Sequence, residues 1–174
     1  MHRTPKISEV KRDIETFFAN DLVLVASQNG WLKDRAWTDG IHKHVAEIGH
    51  RYEYQVFASK NRCSEADAPE CLYDHHWRLL TGESDLVRIP LIMEVEWGFG
   101  EKTMWARIKE DFLKLVQARA DLRVMVFQGR DVKTTTDRLI ELAKGFEGTQ
   151  PGDQYFFAGW DAATQRMQCR SWAA

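Results

Sequence analysis

The chain has 174 residues, 44% of them hydrophobic and 29% charged, with 24 Lys and Arg against 26 Asp and Glu for a net charge of −2. That length suits a single domain, 1–174, with its own core, and the apolar fraction is too high for a disordered chain. The near-neutral charge excludes a globally basic nucleic-acid binder and leaves room only for a local basic face. Cys63, Cys71 and Cys169 are odd in number, widely spaced and outside any CxxC or Cys/His pattern, so reduced thiols and a cytoplasmic location are expected. No apolar run approaches the ~20 residues that span a bilayer, and no membrane partner is expected.

Apolar spacing predicts a first helix over 5–20, with Ile7, Val10, Ile14, Phe17 and Phe18 on one face and Pro5 and Ser8 near its start. The apolar run at 21–26 is compatible with an extension of that helix or with a short strand. Asp39-Gly40 precedes a second helix over 41–50, and alternation at 52–58 predicts a strand. A polar loop follows at 60–69, then two strands at 70–79 and 89–97 joined as a hairpin through the turn-rich stretch 81–85. The second strand puts Ile89, Leu91, Met93, Val95 and Trp97 on one face and Ile92, Glu94 and Glu96 on the other. A long helix over 103–120 carries the stripe Met104, Trp105, Ile108, Phe112, Leu115 and Val116. Residues 122–127 are apolar on both faces, as a central strand should be. A C-terminal helix at 134–145 and strands at 154–160 and 166–172 complete a mixed α/β domain, a sheet flanked by helices.

Acids placed against this pattern carry the chemistry. Glu94 and Glu96 project from the same face of an otherwise apolar strand, roughly 6.5–7 Å apart at the backbone. Asp74 lies in the preceding strand on the face of Leu72 and His76, so Asp74 and Glu94 converge if the two strands pair. Half-buried carboxylates repel one another and lose hydration, so such groups shift their pKa or bind a cation. Hard oxygen ligands with open water positions suit Mg²⁺ or Mn²⁺.

Asp74 in CLYDHHWR, Glu94-Val95-Glu96 in LIMEVEWG and the helix and strand of DFLKLVQARADLRVMVF resemble the PD-(D/E)xK nuclease superfamily, the restriction-endonuclease-like fold, over about 40–127. The resemblance implies a mixed sheet flanked by helices, Asp74 and Glu94 as metal ligands, and the Val95 carbonyl as an additional one. It implies an acid from the preceding helix, for which Glu47 is the candidate. Where the superfamily has lysine this chain has Glu96, which some members also carry. Either Glu96 orients or deprotonates the attacking water, or a lysine of the following helix takes over. Lys109 flanks the apolar stripe and Lys114 lies outward, so Lys109 is the better placed. Arg78, Lys102 and Arg107 are candidate phosphate contacts.

The implied activity is Mg²⁺- or Mn²⁺-assisted hydrolysis of phosphodiester bonds in DNA. The chain leaves little room for a sequence-reading module beyond the core, so recognition comes from a partner subunit or a homodimer, or is absent. A nuclease-like binding or assembly module without cleavage, and an unrelated α/β protein with exposed acids, are the competing readings. His75 and His76 point to opposite strand faces and His42 and His44 do not share a helix face, which disfavours histidine–metal chemistry. Trp77, Trp97 and Trp105 read as core residues, and Asp111 with Lys114 as an i, i+3 surface pair. No GxGxxG, Walker loop or GxSxG is present.

Overall fold

The computed structural model describes residues 6–59, 63–70, 72–82, 85–97 and 101–174, with 70 and 101–103 described by their backbone alone. The strands are β1 (Gln55–Ser59), β2 (Ala68–Glu70), β3 (His75–Leu80), β4 (Leu86–Glu96), β5 (Leu122–Gly129), β6 (Gln154–Asp161) and β7 (Arg166–Ala173). The helices are α1 (Ile7–Thr16), α2 (Leu22–Gln28), α3 (Asp34–Arg51), α4 (Glu101–Gln117) and α5 (Val132–Gly145).

The strands form one seven-stranded sheet in the order β2-β1-β3-β4-β5-β6-β7. β1, β3 and β4 run as an antiparallel meander. From β4 the chain crosses over twice, through α4 and then α5, so that β4, β5 and β6 are parallel. β7 returns antiparallel to β6, and short β2 lies parallel to β1 at the other edge. The result is a mixed α/β sheet between two helical layers, as the element order predicts.

Alternation sorts the core into two layers. Leu91, Met93, Val95, Val124, Val126 and Phe156 pack against Val10, Ile14, Phe18, Ile41, Val45 and Ile48 of α1 to α3. On the other face Ile92, Met125, Phe127, Tyr155 and Phe157 pack against Ile108, Phe112, Leu115, Leu139 and Ile140 of α4 and α5. β5 is buried on both faces, the expected fate of an apolar strand between two parallel neighbours.

Several boundaries move. The run at 21–26 is helical: a π-helical segment at Phe17–Asp21 joins α1 to α2 without a break. The second helix begins at Asp34 rather than 41, which puts Asp39-Gly40 inside it. Gly40 is there for space, since a Cβ at that position would lie 2.0 Å from the Trp31 ring. The loop expected at 60–69 ends in β2, its residues 60–62 lying outside the described ones. Between the pairs Trp77–Leu91 and Leu79–Arg88, Ile89 and Pro90 of β4 oppose Arg78 alone, a β-bulge. The extra residue resets the alternation, so Ile89 joins the α4 layer instead of following Leu91 and Met93. Cys63 and Cys169 are free thiols, and Cys71 lies outside the described residues. Among the described residues no helix is long and apolar enough to cross a membrane.

Candidate functional site

Asp74 precedes β3 by one residue. The β3–β4 register sets His75 opposite Met93 and His76 opposite Ile92, and one step further along it Asp74 faces Glu94. On its other side Ala58 pairs with His75, which brings Ser59 beside Asp74. Two donors orient the carboxylate: Val95 N–H reaches Oδ2 at 3.0 Å and Ser59 Oγ–H reaches Oδ1 at 3.3 Å. Asp74 and Glu94 therefore converge on the α4 side of the sheet, as strand pairing predicts.

Glu94 is only 1% exposed. Burial, reinforced by the negative charge of Asp74 and opposed by Lys114, pushes its carboxyl up to about 9. Oε2 accepts from Lys114 Nζ at 3.4 Å, while Oε1 is buried with no partner. Leaving such an acceptor unsatisfied costs about 1–3 kcal/mol, so it requires an explanation.

Glu96, two residues on and 8% exposed, shares the face. Its Oε1 lies 2.7 Å from Arg107 Nη2. Burial, opposed by Arg107 and reinforced by the hydrogen-bonded neighbour Asp111 and by Asp74, pushes its carboxyl up to about 7.

α4 supplies the other half of the cluster. Arg107, Asp111 and Lys114 follow one another at i, i+4 and i+7 along one flank of the buried stripe Ile108, Phe112 and Leu115. Lys114 Nζ donates to Asp111 Oδ1 at 2.6 Å and so stands between Asp111 and Glu94. Burial works against its charge, but the bonds to Asp111 and the attraction of Glu94 hold its pKa above the ordinary lysine value. The C-terminus of α4 is fixed by buried Arg123, which donates to the carbonyls of Leu115 and Ala118 and pairs with Asp153 at 3.2 Å.

The structure does not bring every expected residue to this cluster. Lys109 lies on the opposite flank of α4, exposed in a groove with Trp105, Thr134, Asp137 and Arg138. The lysine at the acids is Lys114, and the Asp111–Lys114 pair is part of the cluster rather than a plain surface pair. Glu47 is exposed on α3 in the other helical layer, in a groove with Asp13, Phe17, His44 and Arg51, away from the acids. Arg78 stacks on Phe57, 4.0 Å from the ring centroid, and donates to His76 Nε2 at 2.7 Å, four residues along β3 from Asp74. Arg107 is at the site but as the partner of Glu96. Lys102 falls in the first turn of α4, its side chain outside the described residues. The i, i+4, i+7 spacing of Arg107, Asp111 and Lys114 was the available signal for the missed pair; its sense depended on which flank α4 turns to β4.

His75 and His76 do point to opposite faces. His75 is on the α3 side, where Trp77 Nε1 donates to its Nε2 at 3.1 Å and its Nδ1 meets His42 Nδ1 at 3.3 Å.

The donor set among the described residues suits a hard divalent cation: carboxylate oxygens, one of them buried and unpartnered. Among the described residues no group of three or more His, Cys, Asp or Glu is already set to hold a metal ion. Glu94 and Asp74 would be the first ligands, with Glu96 poised to exchange a proton near neutral pH. The chain matches no protein-family model, no curated protein and no solved structure.

Proposed function

We propose that this protein is a metal-dependent nuclease of the PD-(D/E)xK type that hydrolyses phosphodiester bonds in DNA with Mg²⁺ or Mn²⁺. One observation carries the reading: the buried Glu94 carboxylate, with an unpartnered oxygen, faces Asp74 on one side and a lysine on the other. Burying a carboxyl beside a second acid costs free energy that apolar packing does not return. The order α3, β1, β3, β4, α4, β5, with the two acids at neighbouring strand ends, is the order on which the superfamily resemblance rests.

In this reading Asp74 and Glu94 hold the ion, which when bound polarises the scissile phosphate and lowers the pKa of a water. Glu96, with its carboxyl near 7, accepts the proton of that water, and Arg107 stabilises the carboxylate form of Glu96. Lys114, 3.4 Å from Glu94, is the lysine nearest the acids among the described residues. Nucleic acid is the partner this activity needs, with a second copy of the chain as the source of any sequence recognition.

Cleavage of plasmid and oligonucleotide DNA with Mg²⁺ or Mn²⁺ tests the proposal. Wild type cleaves, and Glu94→Gln loses about a thousandfold or more, ~4 kcal/mol of barrier. Equal activity in both proteins sinks the assignment. The Arg107–Glu96 ion pair favours the second reading, a non-cleaving binding module, because it ties up the proposed base. DNA binding by wild type with no cleavage under either metal selects that reading.

A further inference from the structure

We propose that Lys114 is the metal-free site's own cation, holding the place between Glu94 and Asp111 that the divalent ion takes, and that Asp111 becomes a metal ligand when Lys114 leaves. The proposal rests on the metal-site reading of Asp74 and Glu94 and adds to it a ligand from α4 and a displaced side chain.

The geometry points this way. Lys114 Nζ bridges Asp111 Oδ1 at 2.6 Å and Glu94 Oε2 at 3.4 Å, joining α4 to β4 through one ammonium. Four acids, Asp74, Glu94, Glu96 and Asp111, gather on this face with only two cationic side chains among the described residues, Lys114 and Arg107. Glu94 Oε1 remains buried without a partner, an acceptor that a single ammonium does not reach. A divalent ion held by Glu94 and Asp111 would supply two positive charges where Lys114 supplies one. Lys114 is 43% exposed along its side chain, so it has an open path to solvent, whereas Glu94 at 1% has none. The flexible partner moves and the fixed one stays.

The full-length chain, stripped with EDTA and titrated with Mn²⁺ alone, tests this by the loss of the free-ion electron paramagnetic resonance signal. Lys114→Met, which keeps the apolar stem and removes the charge, binds Mn²⁺ about tenfold tighter than wild type. Adding Asp111→Asn to that variant loses the gain. Equal or weaker binding by Lys114→Met overturns the proposal while leaving a metal site in place. Unchanged affinity on adding Asp111→Asn also overturns it. No Mn²⁺ uptake by any form overturns both this proposal and the nuclease reading. Wild type gives a second measurement that needs no variant: acetylation of Lys114, read by mass spectrometry, rises several-fold when Mn²⁺ is added. Reactivity that does not change with Mn²⁺ rejects displacement.

Discussion

On the α3 side of the sheet, His42, His75 and Trp77 bury their polar atoms as a neutral chain. Trp77 Nε1 can only donate, so His75 Nε2 accepts and the His75 proton sits on Nδ1, facing His42. Burial, then the proximity of His42, His76 and His50, holds His75 well below its usual pKa and keeps it uncharged. On the α4 side, one and three residues along β4 from the Met93 that pairs with His75, Glu94 and Glu96 are packed with Asp74 and Asp111 and linked to Lys114 and Arg107. There burial opposes ionisation without removing the need for it. On the α3 side the polar groups are arranged so that no charge forms on His75; on the acid face they are packed among partners that are themselves charged. The contrast separates the two faces more sharply than exposure does, since Glu94 and Glu96 are buried as His75 and Trp77 are.

Three measurements break or sharpen that contrast. The largest effect belongs to the neutral side. Trp77 is fully buried against Gly49, where an added Cβ would lie 2.7 Å from Nε1. Trp77→Ala costs about 3–5 kcal/mol in urea unfolding, from the cavity and the lost donor to His75. A loss under ~1 kcal/mol would mean that this side is not a packed structural unit.

Next comes the acid side, with the opposite sign. An acid whose folded pKa lies above its unfolded value favours folding at low pH and loses that advantage as pH rises through the folded pKa. With Glu94 moved from 4.5 to about 9, the window runs across neutrality. In EDTA, Glu94→Gln therefore stabilises the protein by roughly 3 kcal/mol at pH 7, a gain that shrinks towards pH 4.5. A destabilising Glu94→Gln would place Glu94 with the structural group.

The smallest effect is the pH response of His75. A base with a depressed folded pKa gives stability that is present above its unfolded value of 6.5 and lost as pH falls below it. Relative to His75→Gln, wild type loses up to about 1.4 kcal/mol per pH unit below that point, measured as urea midpoints at matched pH. A constant difference across the range would show that His75 charges freely in the folded state.

Much of this contrast was legible in the sequence, because strand alternation is a local rule. It placed Glu94 and Glu96 on one face, His75 and His76 on opposite faces, and Asp74 within reach of Glu94. The apolar stretch of β5 announced a central strand. What local rules do not carry is the sense in which α4 lies on the sheet. Lys109 and Lys114 both border the Ile108–Phe112–Leu115 stripe, and only the path of the crossover from β4 to β5 decides which border meets the acids. Glu47 failed for a related reason, since a helix face says what is buried but not which layer it joins. Asp39-Gly40 looked like a helix start because glycine is ambiguous between a turn and a close contact, and the contact is with Trp31, nine residues away.

The bulge at Ile89 and Pro90 gives the acid face its address. Alternation along β4 is a matter of odd and even, and the register against β3 slips twice near the start of the strand, between Leu91 and Arg88 and again between Arg88 and Leu86. Remove a single residue there and every motif in the chain still reads the same. Yet the short leg before Leu91 would turn over relative to the acids, and Ile89 would leave the α4 layer. The relation of the acid face to the start of its own strand thus hangs on a count, kept at a point some distance along the strand from the acids.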